Sequence, residues 1–237
     1  NFLNIKSRKS DVDNMFECIL CKSCEVECPV SIPLGDYLES LREEYVNAGL
    51  ETSKAHDVFT QRVIEKHNPY DEDPEKRFDW LKAKTDKKAD LLYYGGCTAS
   101  YRNQEMAKSA TSLLNKMKIP FKMAEPTEEW CCGSPLLRGG IILVKGQSKR
   151  GRGDVFKKMG IKTIITSCPG CFRTIRDDYP KLGIDMDGIE VKHLTEFLTE
   201  NMEKIKFKRD MKAKVTYHDP CHLGRHLDVY DENRKKI

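Results

Sequence analysis

The chain has 237 residues, 39% of them apolar, with 41 basic and 37 acidic side chains and a formal net charge of +4, enough apolar content for one large core or two small ones. A mean hydropathy of -0.61 and the brevity of the most apolar run, GGIILVKG at 139–146, exclude a membrane-spanning helix, so membrane contact is expected only through a partner. Charges of both signs are interleaved, and the one basic run, KGQSKRGRG at 145–153, lacks interleaved aromatics, so it reads as a solvated loop and no nucleic acid is expected.

The chain opens at Asn1 with neither an initiating Met nor a secretory pattern, and its N-terminus is expected to be incomplete. The first of ten cysteines fall in CILCKSCEVECPV, which spaces Cys18, Cys21, Cys24 and Cys28 by two, two and three residues and ends in Pro29. That is the bacterial ferredoxin run for a cubane 4Fe-4S cluster, in which a tight loop wraps three thiolates around one face. Four thiolates also suit zinc, but zinc sites usually pair one CxxC with a distant second knuckle. Cysteines two apart and a vicinal pair make poor bridges, so a disulfide framework is not expected. Cys28 has two readings: it closes this cluster, or it serves a second one whose other ligands precede Asn1.

After the cysteine loop, LGDYLESLREEYVNAGL (34–50) predicts a helix with Leu38, Leu41 and Tyr45 on its core face and Gly49 as its stop. Residues 1–66 are therefore a mostly helical ferredoxin-like segment. Residues 67–88 are polar and Pro-bearing and read as a linker with a short helix near Trp80, itself expected to be buried.

From residue 89 the pattern alternates: strand LLYYGG, helix NQEMAKSATSLLNKM, strand FKMAE after Pro120, helical pieces to Lys158, strand KTIITS, helix CFRTIRDDY, helix LTEFLTENMEKI and strand KVTYH. Strands separated by helices predict a parallel sheet, an α/β Rossmann-like unit. It has no GxGxxG, so no nucleotide is implied. Cys97 follows the first strand, Cys131-Cys132-Gly133 lies thirty-odd residues on, and Cys168-Pro-Gly-Cys171 follows the KTIITS strand after a similar gap. Ligands collect at the carboxyl ends of strands in open α/β sheets. Alone, CPGC would read as a thioredoxin-type dithiol.

One cysteine after a strand, then CCG, then CxxC resembles the cysteine-rich CCG domain of heterodisulfide reductase catalytic subunits and of iron–sulfur subunits in glycolate, lactate and glycerol-3-phosphate oxidation. The resemblance covers residues 91–171 and resumes at 214–226. It implies that Cys97, Cys131, Cys132, Cys168 and Cys171 ligate one non-cubane 4Fe-4S cluster, with one of the vicinal thiolates bridging irons, and that Cys131 and Cys132 take part in catalysis through that cluster. VTYHDPCHLGRH (215–226) looks like the opening of a second such motif, with Cys221 in the place of Cys97, so the expected organisation is 1–66, a linker at 67–88, a first CCG domain at 89–213 and an incomplete second one at 214–237. A further cluster is then possible beyond either end. In the two-motif reductases a proton must reach each leaving thiolate, which makes His218 and His222, with Asp219, hypothetical donors.

The resemblance implies an oxidoreductase subunit passing electrons from the cubane to the CCG cluster for reduction of a thiol-coenzyme heterodisulfide, with flavoprotein or other iron–sulfur subunits as partners. The alternative is a relay subunit for a flavoprotein that handles a 2-hydroxy acid or a fumarate-type substrate. The third is a structural zinc protein. A reducing cytoplasm is the expected compartment.

Overall fold

The computed structural model describes residues 14–50, 52, 54–142, 151–207 and 213–234; most of the basic run at 145–153 and the end of the apolar run at 139–146 lie outside them. Among the described residues a helical turn at 14–17 is followed by α1 (Ser23–Val26), α2 (Leu34–Asn47) and α3 (Lys54–Lys66). A 3-10 turn, Pro74–Phe78, is capped by the Asp73 carboxylate, which accepts from the Glu75 N–H at 3.0 Å. Then come β1 (Leu91–Tyr93), α4 (Gly96–Tyr101), α5 (Gln104–Lys116), α6 (Ser134–Arg138), α7 (Gly151–Lys158) and β2 (Thr163–Thr166). The helix α8 (Pro169–Arg173) runs through a π-turn, Thr174–Asp178, into α9 (Tyr179–Lys181); β3 (Glu190–His193), α10 (Leu194–Glu200), α11 (Gly224–Leu227) and α12 (Asp231–Arg234) follow.

The sheet is parallel throughout, in the order β1-β2-β3, with Leu92 opposite Ile164 and Ile164 opposite Val191. Alternation along the strands divides the core in two. Leu92, Ile164 and Val191 pack with Phe172, Ile175 and Tyr179, while Leu91, Tyr93 and Ile165 pack with Ala107, Leu114 and Trp80 from the other side. Both faces are covered, as a parallel sheet requires, and the α/β class expected from sequence is the one observed. Trp80 is buried as expected, its indole N–H donating to the Arg77 carbonyl at 2.8 Å.

Three strand assignments change. FKMAE makes only one parallel bridge, Leu92 to Lys122, because β1 is three residues long and the chain then turns at Pro126 toward the CCG loop. KVTYH is not a strand: residues 213–220 carry no regular structure, and without a neighbouring ladder an extended segment has nothing to stabilise it. EVKH, not expected from its charge, forms β3 by pairing with β2. The expected core of α2 shifts as well. Leu38, Leu41 and Tyr45 are half-buried, and the helix buries Gly35 and Arg42 instead.

The helical segment is seated on the α/β unit where α2 meets the end of α6. Gly140, at φ +77°, lies so close that an added Cβ would fall 2.4 Å from the carbonyl carbon and oxygen of Arg42 and 2.7 Å from the Glu43 nitrogen. Those obstacles are backbone, which no rotamer change relieves. Gly140→Ala is therefore expected to lower stability by about 2 kcal/mol or more, from the positive φ and the overpacking together; thermal unfolding within about 0.5 kcal/mol of the parent would show that this junction is not tight.

Candidate functional site

Both ends of the site are strand ends. After β1, Gly95 and Gly96 turn the chain into α4 and place Cys97 in its first turn. Gly96 has φ +72°, and a Cβ there would stand 3.0 Å from Cys171 Sγ, so only glycine lets the two loops close. Cys131 and Cys132 lead into Gly133, whose φ of +89° starts α6. After β2, Cys168 is the N-cap of α8 and Cys171 lies within its first turn.

These loops bring the five cysteines into one chain of side-chain contacts, Cys97 to Cys131, Cys131 to Cys132, Cys132 to Cys171 and Cys171 to Cys168. None of the ten cysteines is in a disulfide. Cys97, Cys131, Cys132 and Cys171 are buried, and the backbone N–H groups of Gly133 and Ser134 donate to Cys131 Sγ and Cys132 Sγ, each at 3.5 Å. Hydrogen bonding to Cys131, then burial, holds the Cys97 and Cys132 thiols well above the usual range. Cys168 moves the other way, down to about 7, because Cys171 and then the backbone N–H groups at the start of α8 donate to it. Among the described residues no three His, Cys, Asp or Glu side chains close on one point as a single ion would need.

Around these thiols lies a shell that sequence reasoning missed. Arg77, fully buried, directs both terminal nitrogens at Cys97 Sγ, at 3.8 and 3.9 Å, and donates to the His67 carbonyl at 2.9 Å. The same carbonyl accepts the Cys131 N–H at 2.7 Å. Glu129, 2% exposed, pairs with Arg77 at 3.4 Å and accepts from the N–H groups of Gly95 and Gly96 at 3.2 and 2.9 Å. Burial raises the Glu129 carboxyl despite the Arg77 charge. Tyr179 Oη donates to the Cys132 carbonyl at 3.1 Å and Tyr94 Oη to the Trp130 carbonyl. Val63 of α3 packs with Cys97, Cys131 and Leu136, so the helical segment walls one side. Nothing local marks Arg77, which sits in a polar stretch; its partners come from 10, 20 and 52 residues away.

The N-terminal cysteine loop is held by its carbonyls. Arg42, 4% exposed, donates to Met15 O at 3.1 and 2.6 Å, to Cys18 O at 2.5 Å and to Arg138 O at 2.7 Å. From the other end of the chain, Arg225 donates to Cys21 O at 2.6 Å, and His226 Nε2 lies 2.8 Å from Leu20 O. Within the loop the Leu20 N–H donates to Cys18 Sγ at 3.4 Å, while the N–H groups of Ile32, Val30 and Ser31 lower the Cys28 thiol. Cys24 is exposed.

Cys221 is half-buried at the start of a turn that reaches both cysteine groups: Arg225 and His226 touch the N-terminal loop, while His222 Nδ1 lies 3.5 Å from the Cβ position of Gly170, inside the CPGC sequence. Burial, then the charges of His226, Arg173 and Arg138, hold His222 near a pKa of about 3, so its imidazole is neutral. His218 is exposed, and the structure does not bring it to the five thiols.

The sequence pattern of the family described as the cysteine-rich domain, CCG, matches residues 91–176. The chain is 36% identical, over 94% of its length, to the D subunit of the dihydromethanophenazine:CoB–CoM heterodisulfide reductase of Methanosarcina mazei, of which it covers 56%. It is 29% identical to the B subunit of the fumarate reductase (CoM/CoB) of Methanothermobacter marburgensis, over 94% of this chain and 44% of that one. It is 29% identical to the EtfAB:quinone oxidoreductase of Syntrophomonas wolfei, over 95% of this chain and 33% of that one. The chain thus spans about half or less of the relatives it matches. No solved structure matches. The cysteine-rich CCG pattern thus lies on the strand ends that gather five thiols, and the likeness to these oxidoreductases and their subunits runs across nearly the whole chain.

Proposed function

We propose that this chain is an iron–sulfur subunit of a redox complex, passing electrons from a cubane cluster on its N-terminal loop to a non-cubane cluster on the CCG cysteines, for reduction of a disulfide between two thiol coenzymes. The observation that carries the reading is the set of side-chain contacts that joins five buried or half-buried thiols, from Cys97 through Cys131, Cys132 and Cys171 to Cys168. Five thiols in contact exceed the four that a tetrahedral ion takes and suit a group with several irons. The donor set fits in chemistry too, being all sulfur, buried and supplied with backbone N–H groups. When bound, such a cluster supplies one-electron chemistry and an iron site for substrate sulfur.

The chain's own residues would do the rest. Cys97, Cys131, Cys132, Cys168 and Cys171 hold one cluster, and Cys18, Cys21 and Cys24 hold the other, with Cys28 closing it or serving a neighbour. Val63 and Leu136 keep water from Cys97 and Cys131. Loading the buried thiols must displace their protons. Arg42, Arg225 and His226 fix the N-terminal loop against the CCG domain, which sets the separation of the two groups. Beside exposed Cys24, Ile19, Val26 and Val30 are 79%, 64% and 74% exposed, an apolar rim suited to a flavoprotein or iron–sulfur partner. Among the described residues no helix is long and apolar enough to cross a membrane, so membrane contact would run through such a partner; a cytoplasmic setting suits ten cysteines without a disulfide.

The relay reading is favoured by the names of the fumarate reductase and EtfAB:quinone oxidoreductase relatives. One experiment separates the two. Iron and acid-labile sulfide for two clusters on anaerobically purified protein, with an EPR signal that appears only when thiol coenzyme is added under oxidation, would support disulfide chemistry. Two clusters with no thiol response would make the chain a relay, and zinc in place of iron would overturn both.

A further inference from the structure

We infer that Arg77 and Glu129 together set the reduction potential of the group held by the CCG thiolates, Arg77 favouring the reduced state and Glu129 opposing it. The inference rests on the proposed ligand role of Cys97. A buried Arg–Glu pair that served only to fasten the Gly95–Gly96 loop would meet face to face as a close fork. Here the closest approach is a single contact at 3.4 Å. Nη1 is shared between Glu129 and Cys97 Sγ, Nη2 between the His67 carbonyl and the same sulfur, and Nε has no partner. The cation therefore contacts both a carboxylate and a thiol sulfur, with both terminal nitrogens toward the sulfur. Tyr101 covers its face, ring centroid 5.1 Å from Cζ.

Neither partner is exposed: the side chains are 0% and 1% accessible. In so dry a setting charges are screened less than in water. A one-electron reduction, with the electron supplied in the measurement by dithionite through a mediator, adds one negative charge to the thiolate-bound group and moves no proton. Arg77 lies about 4 Å from Cys97 Sγ, a thiolate that would hold the group, and would lower the cost of the added charge; Glu129, paired with the same Nη1, would offset part of the effect.

The test is an EPR-monitored redox titration of the parent, Arg77→Met and Glu129→Gln proteins, with iron counted in each. At the parent midpoint Arg77→Met should raise the oxidised-to-reduced ratio at the CCG group at least tenfold, which is 59 mV more negative for one electron. Glu129→Gln keeps the side chain's shape and should shift the ratio the opposite way. Opposite signs are the electrostatic signature, since loosening the loop moves both variants alike. Arg77→Lys, which keeps the charge, should stay nearer the parent than Arg77→Met. Shifts of the same sign, or both ratios within threefold of the parent, would overturn the inference. If Arg77→Met fails to fold, Glu129→Gln decides alone by its sign. Parent protein without iron at the CCG thiols would instead overturn the ligand reading itself, and shows before any variant is made.

Discussion

Cys131→Ser and Cys132→Ser are each expected to lose about half of the bound iron, from about eight atoms per chain to about four, with loss of the CCG spectrum and retention of the N-terminal one. The geometry makes the effect nearly all-or-none. Cys131 joins Cys97 to the rest of the thiols, and Cys132 joins the first two thiols to Cys171 and Cys168. Removing either splits the proposed donor set, and a serine hydroxyl is a harder, less acidic donor that does not replace a thiolate. The fold should survive, because the Gly133 and Ser134 N–H groups can meet the new hydroxyl, so the cost stays within about 1–3 kcal/mol for a buried hydroxyl. The N-terminal loop should keep its iron, since Arg42, Arg225 and His226 hold it through carbonyls that these substitutions do not touch. Metal analysis and EPR on variants with unchanged circular dichroism check this; full iron in either variant would remove the CCG thiols from the ligand set.

What was legible in the sequence was whatever repeats or is spaced. The β1 and β2 strands were readable because Leu91, Leu92, Ile164 and Ile165 form apolar runs that stop at glycine or cysteine, and the thiols stand at fixed offsets from those stops. What was illegible depended on partners distant in the chain. EVKH becomes a strand only because Thr163 to Thr166 offers it a ladder; the buried alternation of Val191 and His193, in the place where an α/β order needs a strand, was the available signal. Arg77 and Glu129 looked like ordinary surface charges, and their burial follows from the loops that meet over Cys97. Arg42 is the same case on a helix. Its neighbours suggested a leucine face, yet three chain segments end in carbonyls at that spot, and only a guanidinium carries enough donors to meet them.

Arg42→Met should therefore be among the most damaging single changes in the chain outside the thiols. It leaves the carbonyls of Met15, Cys18 and Arg138 without their donor in a site that is 4% exposed, and each orphaned buried acceptor costs about 1–3 kcal/mol. It also removes the cation from the Phe16 ring, 5.1 Å away, worth about 0.5–1 kcal/mol more. Allowing for water reaching part of the gap, a net loss of about 3 kcal/mol is expected, which for a chain of this size lowers Tm by roughly 6–12 °C. Arg42→Lys should recover only part, because one ammonium cannot span carbonyls from three segments. The location of the damage matters more than its size: amide exchange should rise at the N-terminal loop, around Cys18 to Lys22, and stay slow in β1 and β2. That pattern would make Arg42 the fastener that keeps the two cysteine groups at a fixed separation. Unchanged exchange at Cys18 to Lys22, with an unchanged Tm, would mean that Arg225 and His226 suffice and that the loop's seat is built from the other end of the chain.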